Sequence, residues 1–362
     1  MPAPHPITPA QLKEWLEDGR ELALLDVRDE AGFAKGHPLF ATNVPADRLL
    51  RDIDRFVPRK AVRTVLIDGG DGAAERLAHE LAETGWPLIH WVQGGTPAWE
   101  ALGAGLPTFD TSGRDFSLAI RAEKGTPVLT AEELKAARDR GEDVVVIDTR
   151  TLPEFTRAHV PGAVGVPAAE LLLRFADVVP SARTKVVVSC AGLPRAILGA
   201  QTLIDAGVPN EVVYLDDGTA GWTRAGLQLE EGATRTFGPA SDAGREAAQG
   251  FLDSFADSIP EVDEATARGW QADPGRTTYL LDVRTPAEFA AGHLPGTVSS
   301  EGGQLVAVSH RTIAVRGARV VLIDDLDGVR ARTTAHWLQR RGFEIAILRY
   351  DFQAARSLAQ AA

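Results

Sequence analysis

A single cysteine, Cys190, stands where a nucleophile could act. It follows the apolar run Val186–Val188 almost directly, and a helical pattern begins about five residues after it. In open α/β sheets, ligands bind beyond the carboxyl ends of the strands, where loop amides and a helix N-terminus favour an anion. Such surroundings lower a thiol pKa from about 8.5 towards neutrality. The segment from Cys190 to Ala196, with the positive charge of Arg195, therefore predicts a thiolate cradle.

The alternative interpretation of a lone cysteine is a small buried hydrophobe. The arginine near the helix start favours a nucleophile instead. A single cysteine also excludes an intrachain disulfide and any multi-cysteine zinc site. The segment from Asp68 to Gly72 lacks the ligand spacing of a calcium loop, so we expect no metal site there.

The elements that would position this loop occur three times along the chain. Each copy has an apolar strand ending in Asp-x-Arg, then Phe and His, a second apolar strand, a helix, and a third strand. The Asp-x-Arg segments are Asp26–Arg28, Asp148–Arg150 and Asp282–Arg284. Short, continuous apolar runs are typical of strands buried on both faces, and strands alternating with helices indicate a mainly parallel sheet. The sequence therefore predicts three tandem α/β domains.

We expect these domains at 1–107, 127–229 and 251–362. Polar segments at 108–126 and 229–250 read as linkers, although the second could instead begin a helix near Arg245.

Composition excludes several classes of protein. The chain has 362 residues, 44% of them hydrophobic and 24% charged, with a net charge of −12. These values exclude global disorder and argue against binding to nucleic acid or to an anionic membrane surface. No apolar run approaches the ~18 residues of a membrane-spanning helix, and the first residues show no secretory signal. We therefore expect a cytoplasmic location.

Taken together, these motifs resemble the rhodanese-like family of sulfurtransferases, and the resemblance covers all three repeats. The motifs that carry it in the second repeat are Asp148–Arg150, Glu154-Phe155, His159–Ala163 and the loop from Cys190 to Arg195. Related phosphatases have five residues between the cysteine and the arginine of this loop, whereas this chain has four. The shorter loop resembles the sulfur-transferring branch and disfavours a phosphatase or arsenate reductase.

The resemblance implies that Cys190 accepts sulfane sulfur as a persulfide and passes it to a nucleophile. The implied substrate-binding residues are Arg150, Ala191, Gly192, Leu193, Arg195 and Ala196. Asp148 and His159 would support the site, either chemically (His159 as a general base) or as scaffold. Because Asp26, Asp282, His37 and His293 persist in repeats that lack a cysteine, the scaffold interpretation is favoured for both. No cofactor is implied, because sulfur itself is the transferred group.

The other two repeats lack the nucleophile. Alignment through the glycines at the helix ends places Asp68 and Asp325 opposite Cys190, with Ala73 and Arg330 opposite Arg195. A carboxylate cannot form a persulfide, and neighbouring carboxylates repel anions. We therefore expect the first and third repeats to be inactive and to serve packing, dimerisation or partner docking.

Two functions stay open at this stage. The first is a sulfurtransferase that moves sulfur from thiosulfate, 3-mercaptopyruvate or a similar donor to a thiol or cyanide acceptor. The alternative is a non-catalytic sulfur-relay or scaffold protein whose degenerate domains dock partners, including a protein sulfur acceptor. Both are compatible with a homo-oligomer.

Overall fold

The computed structural model describes residues 3–108, 111–253 and 258–354. The described residues form three α/β units that follow the order of the three sequence repeats, each with a sheet flanked by helices.

The first unit has short strands alternating with helices. Its strands are β1 (His5–Ile7), β2 (Leu22–Asp26), β3 (Thr42–Asn43), β4 (Arg63–Ile67) and β5 (Ile89–Val92). Its helices are α1 (Pro9–Glu17), α2 (Glu30–Ala34), α3 (Ala46–Phe56), α4 (Ala73–Glu83) and α5 (Gly95–Ala101).

The second unit repeats this order and is preceded by α6 (Thr111–Lys124). Its strands are β6 (Val128–Leu129), β7 (Val144–Asp148), β8 (Val164–Gly165), β9 (Lys185–Ser189) and β10 (Val212–Leu215). Its helices are α7 (Ala131–Asp139), α8 (Leu152–Arg157), α9 (Leu171–Val178), α10 (Pro194–Asp205) and α11 (Gly218–Arg224), with a 3-10 turn at Ala168–Glu170. Helix α12 (Asp242–Leu252) follows.

The third unit begins with α13 (Glu264–Gln271). Its strands are β11 (Thr278–Asp282), β12 (Val298–Ser299), β13 (Val315–Arg316), β14 (Arg319–Asp324) and β15 (Glu344–Arg349). Its remaining helices are α14 (Pro286–Ala291), α15 (Gly302–Ala307) and α16 (Val329–Arg340), with a 3-10 turn at Ser309–Arg311.

The three sheets confirm the predicted fold class. Their strand orders are β1-β5-β4-β2-β13 with β3 on β2, then β6-β10-β9-β7-β8, then β12-β11-β14-β15. Every named strand pair is parallel except β2 with β13. In each unit the central strands are buried on both faces, as their continuous apolar sequences predict.

The two predicted linkers contain helices. In the segment 108–126, α6 occupies most of the residues and packs against α10, so this connection between the first two repeats is helical. Within α6 the apolar side chain of Ile120 is 2% exposed and lies in a hydrophobic core cluster, so this helix has a buried side. In the second segment α12 begins at Asp242, which agrees with the alternative of a helix near Arg245.

The first and third units share a sheet. Strand β13 pairs antiparallel with β2, with Val315 opposite Ala23 and Arg316 opposite Leu22. The hydroxyl of Tyr279 accepts from the backbone N–H of Val315 and donates to the carbonyl of Phe56. Packing is thus one role of the repeats without a cysteine. The three domain boundaries stay predictions.

Candidate active site

Cys190 lies at the carboxyl end of β9, as the sequence predicts. Cys190 is 1% exposed, and its Sγ accepts a hydrogen bond from the backbone N–H of Gly192 at 3.4 Å. The backbone N–H of Ala196, in the first turn of α10, also acts on the thiol. The loop between β9 and α10 therefore directs backbone amides at the sulfur atom.

The outer face of this loop borders a cavity of about 370 Å³. Its lining includes Cys190 and the predicted binding residues Ala191, Gly192, Leu193 and Arg195. Ala196 is fully buried and takes part through its amide alone. The structure thus brings the loop residues together around one cavity.

A close backbone approach from α11 supports the loop, and sequence reasoning missed it. Gly218 has φ +50°, and a Cβ there would collide with the carbonyl of Cys190. The backbone N–H of Thr219 donates to that same carbonyl at 2.9 Å. Only glycine allows both the backbone conformation and this contact. The signal was present in the sequence as Asp217-Gly218 after a strand.

Arg195 is held by partners from two repeats. Its guanidinium forms a bidentate pair with Glu154, with Nη1–Oε2 at 2.7 Å and Nη2–Oε1 at 2.8 Å. Its Nη1 also donates to Oε1 of Gln304, in the third repeat, at 3.0 Å. The Arg195 guanidinium helps to hold the pKa of Glu154 at about 2, although burial opposes this. A local sequence pattern, the capping box with Thr151, marks Glu154 as a structured position. No local pattern marks Gln304 as a partner of Arg195.

The electrostatics of the thiol differ from the sequence-based expectation. Burial is the largest influence and raises the pKa of Cys190, whereas the charge of Arg195 and the amides of Gly192 and Ala196 lower it. The expected shift towards neutrality is therefore wrong for the free thiol, because spacing along the chain does not show how completely a side chain is covered. The loop still stabilises negative charge on sulfur relative to an equally buried site without it.

Asp148 and Arg150 form a structural pair. Nε and Nη2 of Arg150 donate to the carboxylate of Asp148, and Nη2 donates to the carbonyl of Ala158 at 2.5 Å. Arg28 with Asp26, and Arg284 with Asp282, repeat the arrangement in the units without a cysteine. Arg150 is absent from the cavity lining, so this geometry favours scaffold over donor binding.

His159 also belongs to a repeated structural motif. Its ring stacks on Phe155 with centroids 3.9 Å apart, and its Nδ1 lies 2.9 Å from the carbonyl of Phe155. The pairs Phe33–His37 and Phe289–His293 stack in the same way. The side chain of His159 is fully buried and absent from the cavity lining, which favours the scaffold interpretation over a general base.

Sheet register identifies the true counterparts of Cys190. Asp148 pairs with Ser189, Asp26 with Ile67, and Asp282 with Ile323. The residues that follow these partners are Cys190, Asp68 and Asp324. The assignment of Asp325 was wrong by one position, because the loop of the third repeat has one more residue than that of the second, so alignment through the helix ends shifts the register.

Both aspartates occupy the cradle of amides with their own carboxylates. Asp68 accepts from the N–H of Ala74 at 3.0 Å and from Gly70 at 2.9 Å. Asp324 accepts from the N–H of Ala331 at 2.9 Å. Ala74 is the second residue of α4 and Ala331 the third residue of α16, close counterparts of Ala196, the third residue of α10. A carboxyl group thus takes the place that sulfur has in the second repeat.

Arg330, the counterpart of Arg195, pairs with the carboxylate of Asp324 and does not face an open cavity. It is 1% exposed and pairs with Asp324, Asp325, Glu170 and Glu288. Burial raises the pKa of Asp324 to about 6, although Arg330 opposes the shift. Because Glu170 belongs to the second repeat, this buried network joins the two units.

Residues outside the second repeat complete the cavity. Arg114 comes from α6, and Gln304, Ala307, Val308 and Arg311 come from the third repeat. These contributions were not foreseen from the sequence. In the described part of the chain, no cluster of three or more His, Cys, Asp or Glu residues could hold a metal ion, and no helix is long and apolar enough to cross a membrane.

Comparisons with known proteins agree with this geometry. A family model described as "Rhodanese-like domain" matches residues 8–102, 130–225 and 262–357. A crystal structure of a thiosulfate sulfurtransferase from Pseudomonas aeruginosa is similar to 97% of this chain, with a TM-score of 0.91 and 43% identity; the match covers 67% of that protein.

Two curated proteins match shorter stretches. An HTH-type transcriptional regulator of Mycobacterium tuberculosis is 34% identical over 121 residues, which are 33% of this chain and 52% of the relative. The candidate sulfur carrier protein YrkF of Bacillus subtilis is 26% identical over 97 residues, which are 27% of this chain and 51% of the relative. Each match thus spans about half the length of the curated relative.

The three family matches together cover more than half of the chain and coincide with the three structural units. The predicted tandem array is confirmed: the chain belongs to the rhodanese-like family and carries three copies of its domain.

Proposed function

We propose that this protein is a sulfurtransferase that works through a persulfide on Cys190. The observation that carries the proposal is the position of the Cys190 thiol. It lies beneath a loop whose amides point at sulfur, at the edge of a cavity of about 370 Å³ that could admit a small donor. The similarity to a thiosulfate sulfurtransferase over 97% of the chain supports it.

In the first half-reaction, the Cys190 thiolate attacks the outer sulfur of the donor. A sulfur–sulfur bond forms to Cys190 while the bond between the transferred sulfur and the rest of the donor breaks. The electron pair of that bond leaves with sulfite when the donor is thiosulfate. With 3-mercaptopyruvate, the leaving group becomes pyruvate after protonation at carbon.

In the second half-reaction, cyanide or an acceptor thiolate attacks the outer sulfur of the persulfide. The product carries the sulfur away, and the electron pair returns to Cys190 as a thiolate. Arg195 and the loop amides would stabilise the negative charge on sulfur in both halves. The scheme needs no resident cofactor, and a protein thiol could serve as acceptor.

Steady-state kinetics test the proposal. Thiocyanate formation from thiosulfate and cyanide should show the parallel double-reciprocal lines of a ping-pong reaction. The Cys190→Ser variant is the matched control, because the substitution is nearly isosteric. Full thiocyanate production by that variant would refute the role of Cys190.

The alternative function is a sulfur relay in which Cys190 exchanges sulfur only with protein partners. The similarity to a candidate sulfur carrier protein and the burial of the thiol favour it. A protein that forms no thiocyanate from small donors, but accepts sulfur from a cysteine persulfide on another protein, would support the relay.

A further inference from the structure

The contact between Arg195 and Gln304 joins the second repeat to the third. Gln304 lies in α15, and its Oε1 accepts a hydrogen bond from Nη1 of Arg195 at 3.0 Å. The same nitrogen donates to Oε2 of Glu154 at 2.7 Å. The side chain of Arg195 is 12% exposed, so its guanidinium is held between these two acceptors beside the cavity. One acceptor is charged, and the other is neutral.

Close packing between the two repeats brings α15 within reach of this arginine. A Cβ on Gly303 would lie 2.6 Å from the Cβ of Ala168, in the 3-10 turn of the second repeat, so a larger residue would push the helix away. At the same interface, Nε1 of Trp337 donates to Oγ1 of Thr202 in α10 at 2.8 Å. These contacts hold the third repeat, and α15 with it, against the second.

The third repeat receives the reciprocal contact from the second. Oε1 of Glu170 accepts from Nη1 of Arg330 at 3.1 Å. Strands β8 and β12 are equivalent, because each pairs with the strand that ends in Asp-x-Arg. Counted from the ends of these strands, Glu170 and Gln304 occupy the same position. Each repeat thus places one side chain beside the arginine of the other, and this side chain is an amide at the loop with the cysteine and a carboxylate at the loop without one.

The charge of this side chain affects how much positive charge the arginine presents to its loop. Arg330 pairs with four carboxylates. Within the described ranges, Arg195 forms an ion pair with Glu154 alone. Burial raises the pKa of Cys190, and the charge of Arg195 is the largest influence that opposes this rise. A second carboxylate at Arg195 would weaken that influence.

We propose that Gln304 is a positioning residue of the sulfur-transfer site, whose neutral amide fixes Arg195 beside the Cys190 loop and leaves the guanidinium charge available to the sulfur. A carboxylate at the same place, as Glu170 is for Arg330, would neutralise much of that charge. The inference rests on the proposed function and adds a residue of the third repeat to the site of the second. A repeat without a cysteine thus takes part in the reaction through one amide.

Two other carboxyl groups act on Arg195 or on the thiol beside it. Asp148 adds to the effect of burial and raises the pKa of Cys190. Glu301 precedes α15, and burial raises its pKa to about 7. The charged groups that act on Glu301 are Glu170, Arg195 and Glu154. Because the Cys190 thiol titrates at a higher pH than Glu301, this carboxyl is ionised throughout the titration of the thiol.

Substitutions at position 304 of the full-length chain test the inference. Gln304→Glu keeps the size and the acceptor but adds a charge. We expect the midpoint of the pH profile of Cys190 labelling by iodoacetamide to rise by about one pH unit, and persulfide loading from thiosulfate at neutral pH to slow about tenfold. Iodoacetamide is neutral, so its midpoint reports the thiol and not the attraction of a charged donor.

Gln249→Glu is the matched control. Gln249 is an exposed glutamine of α12 whose Nε2 donates to the carbonyl of Asp327 in the third repeat at 2.8 Å. It does not line the cavity. This variant should match the wild type in both measurements.

Two double variants separate positioning from a general disturbance of the interface. Glu154→Gln combined with Gln304→Glu exchanges the charged and the neutral acceptor, so the midpoint should return to within about 0.3 pH units of the wild type. Gln304→Met, which removes the acceptor, should slow persulfide loading about threefold. In an Arg195→Gln background it should have no further effect, because Gln304 acts through Arg195.

The possible outcomes distinguish this inference from the proposed function. A Gln304→Glu variant with the wild-type midpoint and loading rate overturns the role of Gln304 and leaves the sulfurtransferase intact. An exchange variant that fails to restore the midpoint, or a Gln304→Met loss that persists without Arg195, also overturns it. A wild type that forms no persulfide with thiosulfate or 3-mercaptopyruvate, although the midpoints shift as expected, refutes the proposed function and leaves the coupling of Gln304 to the thiol in place.

Discussion

The second and third repeats place different groups in the same cradle, and the difference is more than the loss of one sulfur atom. In the second repeat, the cradle holds a neutral thiol at the edge of a cavity, and its arginine is held at the cavity wall by Glu154. In the third repeat, the cradle holds the carboxylate of Asp324, and Arg330 forms ion pairs with four carboxylates. The comparison teaches that the fold preserves the anion cradle, while the group placed in it determines whether chemistry or packing follows.

The largest expected effect comes from converting the second repeat to the state of the first. Cys190→Asp should abolish thiocyanate formation, because a carboxylate cannot carry sulfane sulfur. The chain should still fold, since Asp68 accepts from the N–H of Ala74 much as the new carboxylate would accept from Ala196. Circular dichroism and turnover check both points. A variant that fails to fold, although Cys190→Ser folds, would show that the cradles are not equivalent.

A large effect on stability should follow from breaking the buried network of the third repeat. Arg330→Met leaves Asp324 and Glu170 buried without their cation, and we expect a loss of about 3–5 kcal/mol in the free energy of unfolding. Arg195→Met should cost less, about 1–3 kcal/mol, because the side chain of its partner Glu154 is 30% exposed. Denaturation midpoints of the two variants measure the difference. Equal losses would contradict the assignment of Arg330 to packing.

The fold was largely predictable from sequence, whereas half of the cavity was not. Local patterns predict much of the fold: the three Asp-x-Arg segments, the apolar strands and the loop after β9. Each pattern depends only on residues that lie close together in the sequence. The contact of Arg195 with Gln304 spans 109 positions and leaves no local signal. The same holds for the pairing of β13 with β2, which depends on how whole units pack.

Two site predictions failed for reasons that are also physical. Alignment through Gly207 and Gly342 could not reveal the extra residue in the third loop, because helix ends do not report strand register. The sequence spacing likewise placed the positive charge of Arg195 near Cys190. It did not show that burial raises the pKa of the thiol more than this charge lowers it.

A smaller effect is expected when a thiol is restored to an inactive repeat. In a Cys190→Ser background, Asp68→Cys and Asp324→Cys should take up persulfide sulfur far more slowly than Cys190 in the wild type. The loop of the first repeat has Ala73 in place of an arginine. The loop of the third repeat keeps Asp325 beside the new thiol. Quantifying the persulfide at early times compares the three sites. Loading of either variant at the wild-type rate would show that one substitution is all that separates the repeats.

The smallest effect concerns the pH dependence of the thiol. Burial raises the pKa of Cys190 and Arg195 lowers it, so the rate of alkylation should rise with pH through a midpoint above that of an exposed cysteine. Arg195→Gln removes the stabilising charge, so this midpoint should move further upwards. The pH profile of iodoacetamide labelling tests this. An unchanged midpoint would leave Arg195 with a purely structural role.

The central claim is that only Cys190 can hold sulfane sulfur, and intact-mass analysis after incubation with thiosulfate tests it most directly. The wild type should gain the mass of one sulfur atom, cyanide should remove this mass, and Cys190→Ser should gain nothing. No gain in the wild type with thiosulfate, 3-mercaptopyruvate or benzenethiosulfonate, or an equal gain in Cys190→Ser, would contradict the account.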